Sequence, residues 1–471
     1  MGICCHIVVK YKFFIYNFFL IIFYLLTTIG FYSFANIVAD TQAPKSHQPE
    51  IHHYIENEKL CMTQNAHCQG ATFTTVNIVT PNEQGLSHNK YDELSLTFGP
   101  GYNKLFFNNQ RIDAPGFVGN PHLVDKTAKV ILNEVTSNKP SLLHGDLAVI
   151  GPQAHVIIAN PSGVYCNNCQ FSNMGHVTLT TGVPVFNADI LIGYDIQQGA
   201  ISIGRSGLKH HDGSDTFLNL FSTSLTVEGE VRAEDILAVI GKSHIRLTDV
   251  GEKFDIKLVD NCPYNSANVA IDVTKLGGMY TNKIFLYANS GGIQNKGIID
   301  AKTVANLVST SFIKNSSGRI YTPKLKLRSV GDIDNIDGKI KSERHGLDYP
   351  VNEKFGVRIS GRNVNNRAGS IYANSGYTSI KAKGSFNNWD GVIKSNALSG
   401  PADIRIKAKT ITNDYGQIVT FQNIQIDASE LRNNKGRIIS AFKNVDLGYK
   451  TLISEEGIIH AGIEVNRTIK P

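Results

Sequence analysis

The residues with the plainest chemistry are two cysteines at CxxC spacing, Cys166 and Cys169, inside HVIIANPSGVYCNNCQFSNMGHVTLTTG at 155–182. Such a pair is a redox centre when it opens a helix in a βαβ setting. It is half of a zinc site when a second pair is present. It is a local staple when a turn brings the two Cα atoms within bonding range. The flanking runs Val156–Ala159 and Val177–Thr181 read as strands, and no second CxxC occurs. A structural disulfide is the leading reading for Cys166–Cys169, with redox or metal use and free thiols as alternatives. Cys61 and Cys68 are a second candidate pair, Cys262 is left single, and Cys4 and Cys5 fall in the N-terminal apolar segment.

A second set is cationic. Lys324, Lys326 and Arg328 alternate along PKLKLR, so on a strand all three project from one face while Leu325 and Leu327 turn to the core. A basic strand of this kind suits sulfated glycans on host cells, or is simply a solvated face. The histidines of 40–70 (His47, His52, His53, His67) lie in a polar stretch with Pro44 and Pro49, read as a loose leader with solvated imidazoles. No metal or cofactor is expected.

The elements that carry these residues follow from composition and rhythm. The 471 residues are 42% hydrophobic and 18% charged, with 42 Gly and one Trp. That balance describes a folded chain of short strands and tight turns. The net charge of +6 is too mild for nucleic acid, and no basic block or nucleic-acid motif is present. Lys10 and Lys12 precede the uncharged run 13–34, and small residues follow at Ser33, Ala35 and Ala39. This is the pattern of a secretory signal peptide over 1–39, with a retained membrane anchor as the alternative.

From Ala71 short apolar runs recur at Val76–Val79, Leu94–Phe98, Leu105–Phe107, Val130–Val135, Leu147–Ile150 and Val156–Ala159, each bounded by Gly, Asn or Pro. The chain is therefore expected to be all-β. Residues 225–241 read as two strands around Gly229. Eight Asn-x-x-Gly-like turns then repeat, with glycines at 297, 318, 338, 369, 391, 416, 436 and 457, spaced 21, 20, 31, 22, 25, 20 and 21. A period near 20 predicts a β-solenoid, with Gly supplying a positive φ at a fixed corner. The Ile two residues after each Gly should stack into an internal column. The 31-residue interval predicts a loop insertion around Glu343–Glu353, and eight coils make a rod of roughly 40 Å.

The motifs resemble those of filamentous-haemagglutinin-like exoproteins of two-partner secretion in Gram-negative bacteria. The resemblance runs through GLSHNKY (85–91), FNN (107–109), GNPHL (119–123), ILNEV (131–135), the 155–182 stretch and LGGMY (276–280), covering about residues 70–300. It implies a right-handed parallel β-helix with extra-helical β-strands in an N-terminal secretion domain. It also implies a partner, an outer-membrane β-barrel transporter with periplasmic POTRA domains. The family's two Asn-Pro signatures correspond to Asn120-Pro121-His122-Leu123 and Asn160-Pro161-Ser162-Gly163, with His122 and Ser162 where a second Asn is usual. These eight residues are the expected transporter-recognition site, or else only folding turns. On this reading 71–290 is the secretion domain, 291–471 the repeats, and the mature protein a secreted haemagglutinin or adhesin at the cell surface.

An enzyme is the rival class. Arg405-Ile406-Lys407 is similar to a polygalacturonase motif and Gly175-His176 to a fragment of another, but the paired aspartates of such enzymes are missing. Asp332, Asp334 and Asp337 cluster where the solenoid turns, and no GxSxG, HExxH or P-loop occurs. No catalytic residue is assigned. The class with a C-terminal contact-dependent-inhibition toxin, and haemolysin-type exoproteins, share this N-terminus. Members of the family are usually far longer, so the chain is also read as a fragment, a shortened paralogue or a decoy for the transporter.

Overall fold

The computed structural model describes residues 36–55, 72–97, 104–114, 118–210, 216–249, 253–258, 268–343, 356–374, 376–396 and 402–471. The expected signal up to residue 35 and the cysteines at 4, 5, 61, 68 and 262 lie outside them. Apart from one 3-10 turn at Lys45–His47, every regular element among the described residues is a strand.

The strands wind into a parallel β-helix of three faces. The first face runs from Leu86–Ser95 through Val130–Val135, His155–Ala159 and His176–Thr180 to Val465–Ile469, each strand paired in parallel with the next coil. The second includes Lys339–Ser342, Ser370–Ala373 and Gln417–Thr420; the third includes Ala200–Ile203, Ser224–Val227 and Gly292–Asn295. Residues 225–241 hold one strand on each face, Ser224–Val227, Glu230–Arg232 and Asp235–Ile240, where two were expected.

The repeat motif closes the corner between the third and second faces. Asn295, Asn315, Asn335, Asn366, Asn388, Asn413 and Asn433 are buried in one line. From Asn295 to Asn413, each Nδ2 donates to the Oδ1 of the next Asn at 2.7 Å. A buried amide needs such partners, and a continuous chain of them polarises each member. The glycine three residues on does a different job from the one expected. The positive φ belongs to the residue before it: Ser317, Asp337, Ala368, Asp390, Tyr415, Lys435 and Glu456. Gly is required because a Cβ at Gly338, Gly369, Gly391, Gly416, Gly436 or Gly457 would overlap the backbone carbonyl of the ladder Asn one coil earlier.

The isoleucine column is present. Ile299, Ile320, Ile340, Ile371, Ile393, Ile418 and Ile438 are buried and face one another in register on successive coils. Ile340 still faces Ile371 across the long interval, so the coil register holds on both sides of it; the expected insertion around Glu343–Glu353 falls almost wholly in residues 344–355, outside the described set.

Two parts of the fold differ from the sequence expectation or extend it. Asn36–Ala39 pairs antiparallel with Leu86–Ser95, and Glu50–Ile55 pairs antiparallel with Thr72–Asn77. The end of the expected signal peptide, Asn36–Ala39, and the stretch read as a loose leader, through Glu50–Ile55, thus each supply a strand that covers the first coils, which would otherwise present bare edges. The extra-helical strands are a four-stranded antiparallel sheet, Val183–Asn187, Ile190–Ile196, Ser243–Asp249 and Lys253–Leu258. Tyr194, Ile196 and Ile245 of this sheet pack on the outward side of the first face, against Leu86, Leu132, Ile157, Phe221 and Val239. A strand buried on both sides has no polar alternation, which accounts for the unbroken run Val156–Ala159.

Candidate functional site

The signature motifs form two turns of the same construction. Asn120 is buried; its Oδ1 accepts the His122 N–H at 2.9 Å, and its backbone carbonyl accepts the Leu123 N–H at 3.1 Å. Its Nδ2 donates to the carbonyls of Ile78 and Asn108 at 2.9 and 2.8 Å. Asn160 repeats this with Ser162 N–H at 2.9 Å and Gly163 N–H at 3.0 Å, while its Nδ2 reaches Lys139 O and Ser141 Oγ at 2.9 and 3.0 Å. Each is an Asx turn with Pro at the position whose φ a proline already fits. The turn needs only the backbone N–H of residues 122 and 162. That is why His122 and Ser162 stand there without loss of the turn.

The side chains at those positions are half-buried at the surface. Ser162 Oγ donates to Ser137 O at 3.4 Å, and His122 Nε2 lies 3.9 Å from Glu50 Oε2 on the N-terminal covering strand. The hydrogen bond from Asn77 holds the Glu50 carboxyl below its ordinary pKa, against burial and together with His52. Pro121 is exposed, Pro161 half-buried, Leu123 and Gly163 buried. On the connection that carries Asn120, Ile112, Val118 and Val124 stand 76%, 74% and 71% exposed.

The two turns are not brought together. Asn120–Leu123 precedes Val130–Val135, whereas Asn160–Gly163 leaves His155–Ala159, and these two strands pair in register from Val130↔His155 to Glu134↔Ala159. They sit at opposite ends of the first face, about 17 Å apart along the strands.

The other motif residues of the resemblance assemble between them. Lys90 faces Glu134 across two strands, and His88 Nε2 is 2.7 Å from Glu134 Oε2. Burial pushes the Glu134 carboxyl up, but His88 and Lys90 outweigh it and its pKa lies below the ordinary value. Tyr91 donates to Asn133 Oδ1 at 2.9 Å, and Asn109 spans to Ala128 and Pro152. His155 is held neutral, its pKa pushed down to about 3 by burial with help from His176.

Cys166 and Cys169 are joined as a disulfide, both fully buried, with Cα atoms 5.6 Å apart. The strand Val164–Ser172 bends at Asn168, with φ of 62°, from the third face to the second. Cys166, Ile203, Val227, Val273 and Asn295 are in register coil by coil. The disulfide therefore stands in the column that becomes the asparagine ladder.

Lys324, Lys326 and Arg328 are exposed and Leu325 and Leu327 buried. The structure adds neighbours that the sequence did not single out. Lys326, Arg358, Ser379 and Arg405 form one row across four coils; Arg328, Ser360, Lys381 and Lys407 form the next. With Tyr377, all of these but Lys407 line a groove of about 440 Å³ on the first face, beyond the extra-helical sheet. Arg405 and Lys407 pair with Asp403 and Asp427 at 3.1 and 3.0 Å. The insertion after Ser342 hides this alignment in the sequence. Asp332 is taken up by Arg362 and Asn363 and Asp337 by its turn, so these acids serve corners. Among the described residues no group of three or more His, Cys, Asp or Glu is placed to hold a metal ion.

A family model described as the TPS secretion domain matches residues 55–322, more than half of the chain. A 16S rRNA endonuclease CdiA of Enterobacter cloacae is 37% identical over 236 residues, 48% of this chain and 7% of that protein. A tRNA nuclease CdiA of Yersinia mollaretii is 28% identical over 411 residues, 79% of this chain and 13% of that protein. The chain thus spans a small part of the length of these relatives, and the nuclease activities in their names are theirs. The crystal structure of a filamentous hemagglutinin secretion domain aligns with a TM-score of 0.41 at 19% identity, covering 90% of this chain and 99% of that one.

Proposed function

The chain belongs to the family of TPS secretion domains, and from that premise we propose that its signature turns are the surface handed to the outer-membrane transporter. Proteins of this two-partner family reach the periplasm by Sec and leave through the outer membrane. The match over 55–322 carries the reading. The transporter's periplasmic POTRA domains read the rims of Asn120–Leu123 and Asn160–Gly163. Ile112, Val118 and Val124 supply the apolar contact at the first, since exposed aliphatic clusters of this kind mark interaction sites. The pairing of Asn36–Ala39 with Leu86–Ser95 supports a signal that ends before Asn36 rather than at Ala39. Residues 71–290 act as the secretion domain, and 291–471 as the displayed rod of an adhesin. Transporter-dependent appearance of the chain in the medium tests this reading.

The relatives' names favour a second reading, in which the chain is the N-terminal part of a contact-dependent-inhibition protein. Coding sequence continuing past Pro471 into a nuclease would decide for it.

Displayed at the surface, the basic groove on the first face takes sulfated glycans of host cells. Neighbours within a row stand one coil spacing of about 4.8 Å apart and the two rows about 6.6 Å apart along the strands, so their cations match closely spaced anions along a linear chain. The protein is expected to bind heparin resin. Replacing Lys324, Lys326 and Arg328 by Ala should bring elution to lower salt, and Arg358→Ala with Lys381→Ala should do the same; elution at the wild-type salt for both variants would remove the glycan reading.

A further inference from the structure

One stretch of the asparagine-ladder corner carries side chains that the turn does not need. The second and third residues of four consecutive turns are Arg367-Ala368, Trp389-Asp390, Asp414-Tyr415 and Asn434-Lys435. The N–H of each third residue donates to the carbonyl of the second residue one coil on: Ala368 to Trp389 at 3.0 Å, Asp390 to Asp414 at 3.0 Å, Tyr415 to Asn434 at 2.9 Å. The turns are thus stacked in register and their side chains form a column. The Arg367 guanidinium lies 5.2 Å from the Trp389 ring centre, the Trp389 and Tyr415 rings are 6.2 Å apart, and the Lys435 ammonium is 5.9 Å from the Tyr415 ring. The order along the rod is cation, indole, phenol, cation, over three coil spacings or about 14 Å.

Two independent observations separate this column from an ordinary solvated corner. Trp389, the one Trp of the chain, is 39% exposed and Tyr415 is 53% exposed. Tyr415 also holds a φ of 58°, a left-handed conformation that bulky side chains rarely adopt. The corner itself imposes this φ, which Ser317, Asp337, Ala368, Asp390, Lys435 and Glu456 also hold, and Tyr415 is the one ring among them. Smaller or more polar residues satisfy the turn, so an aromatic ring held there in solvent is not a requirement of the fold.

We propose that this column binds a linear saccharide chain that carries carboxylates. Sugar rings pack their C–H faces on Trp389 and Tyr415, which offer apolar area with little conformational freedom to lose. The carboxylates meet Arg367, which lies over the Trp389 ring, and Lys435, whose exposed pairing with Glu456 at 3.9 Å the ligand's carboxylate replaces. Asp390, on the same turn as Trp389, offers an acceptor for hydroxyl groups. The column lies where the third and second faces meet, away from the basic groove on the first face, and it does not depend on the transporter reading.

Trp389 makes the test site-specific, because all indole emission comes from it. The full protein is titrated with hyaluronan hexasaccharide, which has carboxylates and no sulfate, and with neutral maltohexaose. Hyaluronan is expected to change the emission saturably, and maltohexaose at least tenfold more weakly. Tyr415→Asn should weaken the hyaluronan response at least tenfold while leaving the melting temperature unchanged or higher, since Asn accepts the left-handed turn. A Lys381→Ser variant, altered only in the groove, should titrate as wild type. No saturable response to hyaluronan, a wild-type response from Tyr415→Asn, or loss of the response in Lys381→Ser would each overturn the proposal.

Discussion

Replacing Ile340, Ile371 and Ile418 together by aspartate is expected to hold the protein in the periplasm. All three side chains are buried in one column, and Ile340 and Ile371 face each other directly. Each change removes apolar burial of about 1.5–3 kcal/mol. Each also places a carboxylate where no cation or donor can meet it, a further several kcal/mol. Three such sites exceed the 5–15 kcal/mol that holds a typical domain. The effect on export follows from the architecture. Each coil contacts only its neighbours, so a coil that emerges can fold on the one before it, and burial of its Ile opposes back-sliding. No nucleotide is needed at the outer membrane if folding supplies the direction. The triple Ile→Val variant, losing about 1 kcal/mol at each site, should still be exported. Immunoblots of periplasm and medium read both; wild-type amounts of the aspartate variant in the medium would refute the folding-driven account.

The second large effect separates an address from a fold. Asn160→Ala leaves Lys139 O, Ser141 Oγ and the Ser162 N–H without their partner. An unmet buried group destabilises by about 1–3 kcal/mol; Ser141 Oγ is buried and the other two are partly solvated, so a fall of about 2–4 kcal/mol and reduced export are expected. Ser162→Asn and Pro161→Ala change only the rim and should shift stability by less than about 1 kcal/mol. If the transporter reads the rim, Pro161→Ala lowers export at unchanged stability and Ser162→Asn, which restores the family's usual residue, raises it. If export follows melting temperature across all three variants, the turn is a folding element and the address reading fails.

The repeats and their Ile column were legible because a solenoid writes one corner many times. Asn335, Gly338 and Ile340 recur as a set, and recurrence exposes a pattern that a single copy hides. The role of the glycine was not legible. Whether Gly391 is needed for its φ or for the space above the Asn366 carbonyl depends on the coil beneath, which a turn read alone does not contain. The N-terminal strands were missed for a related reason. Glu50–Ile55 pairs with Thr72–Asn77 across 16 residues, and it read as polar leader because its histidines stay partly solvated while Ile51 packs on the core. Of the candidate site, the Asx turns were visible from Asn-Pro, but their placement at opposite ends of the first face came only with the strand register. The basic groove was seen through one strand, Lys324–Ser329. Its other members are offset by insertions, so spacing could not bring Arg358, Lys381 and Arg405 to the same face.

The most direct test of the central claim is the share of the chain found in the medium in cells with the cognate transporter, with a transporter lacking its periplasmic domains, and with none. The account predicts that most of the chain reaches the medium in the first case and that it stays in the periplasm in the other two. Equal amounts in the medium under all three conditions would contradict it.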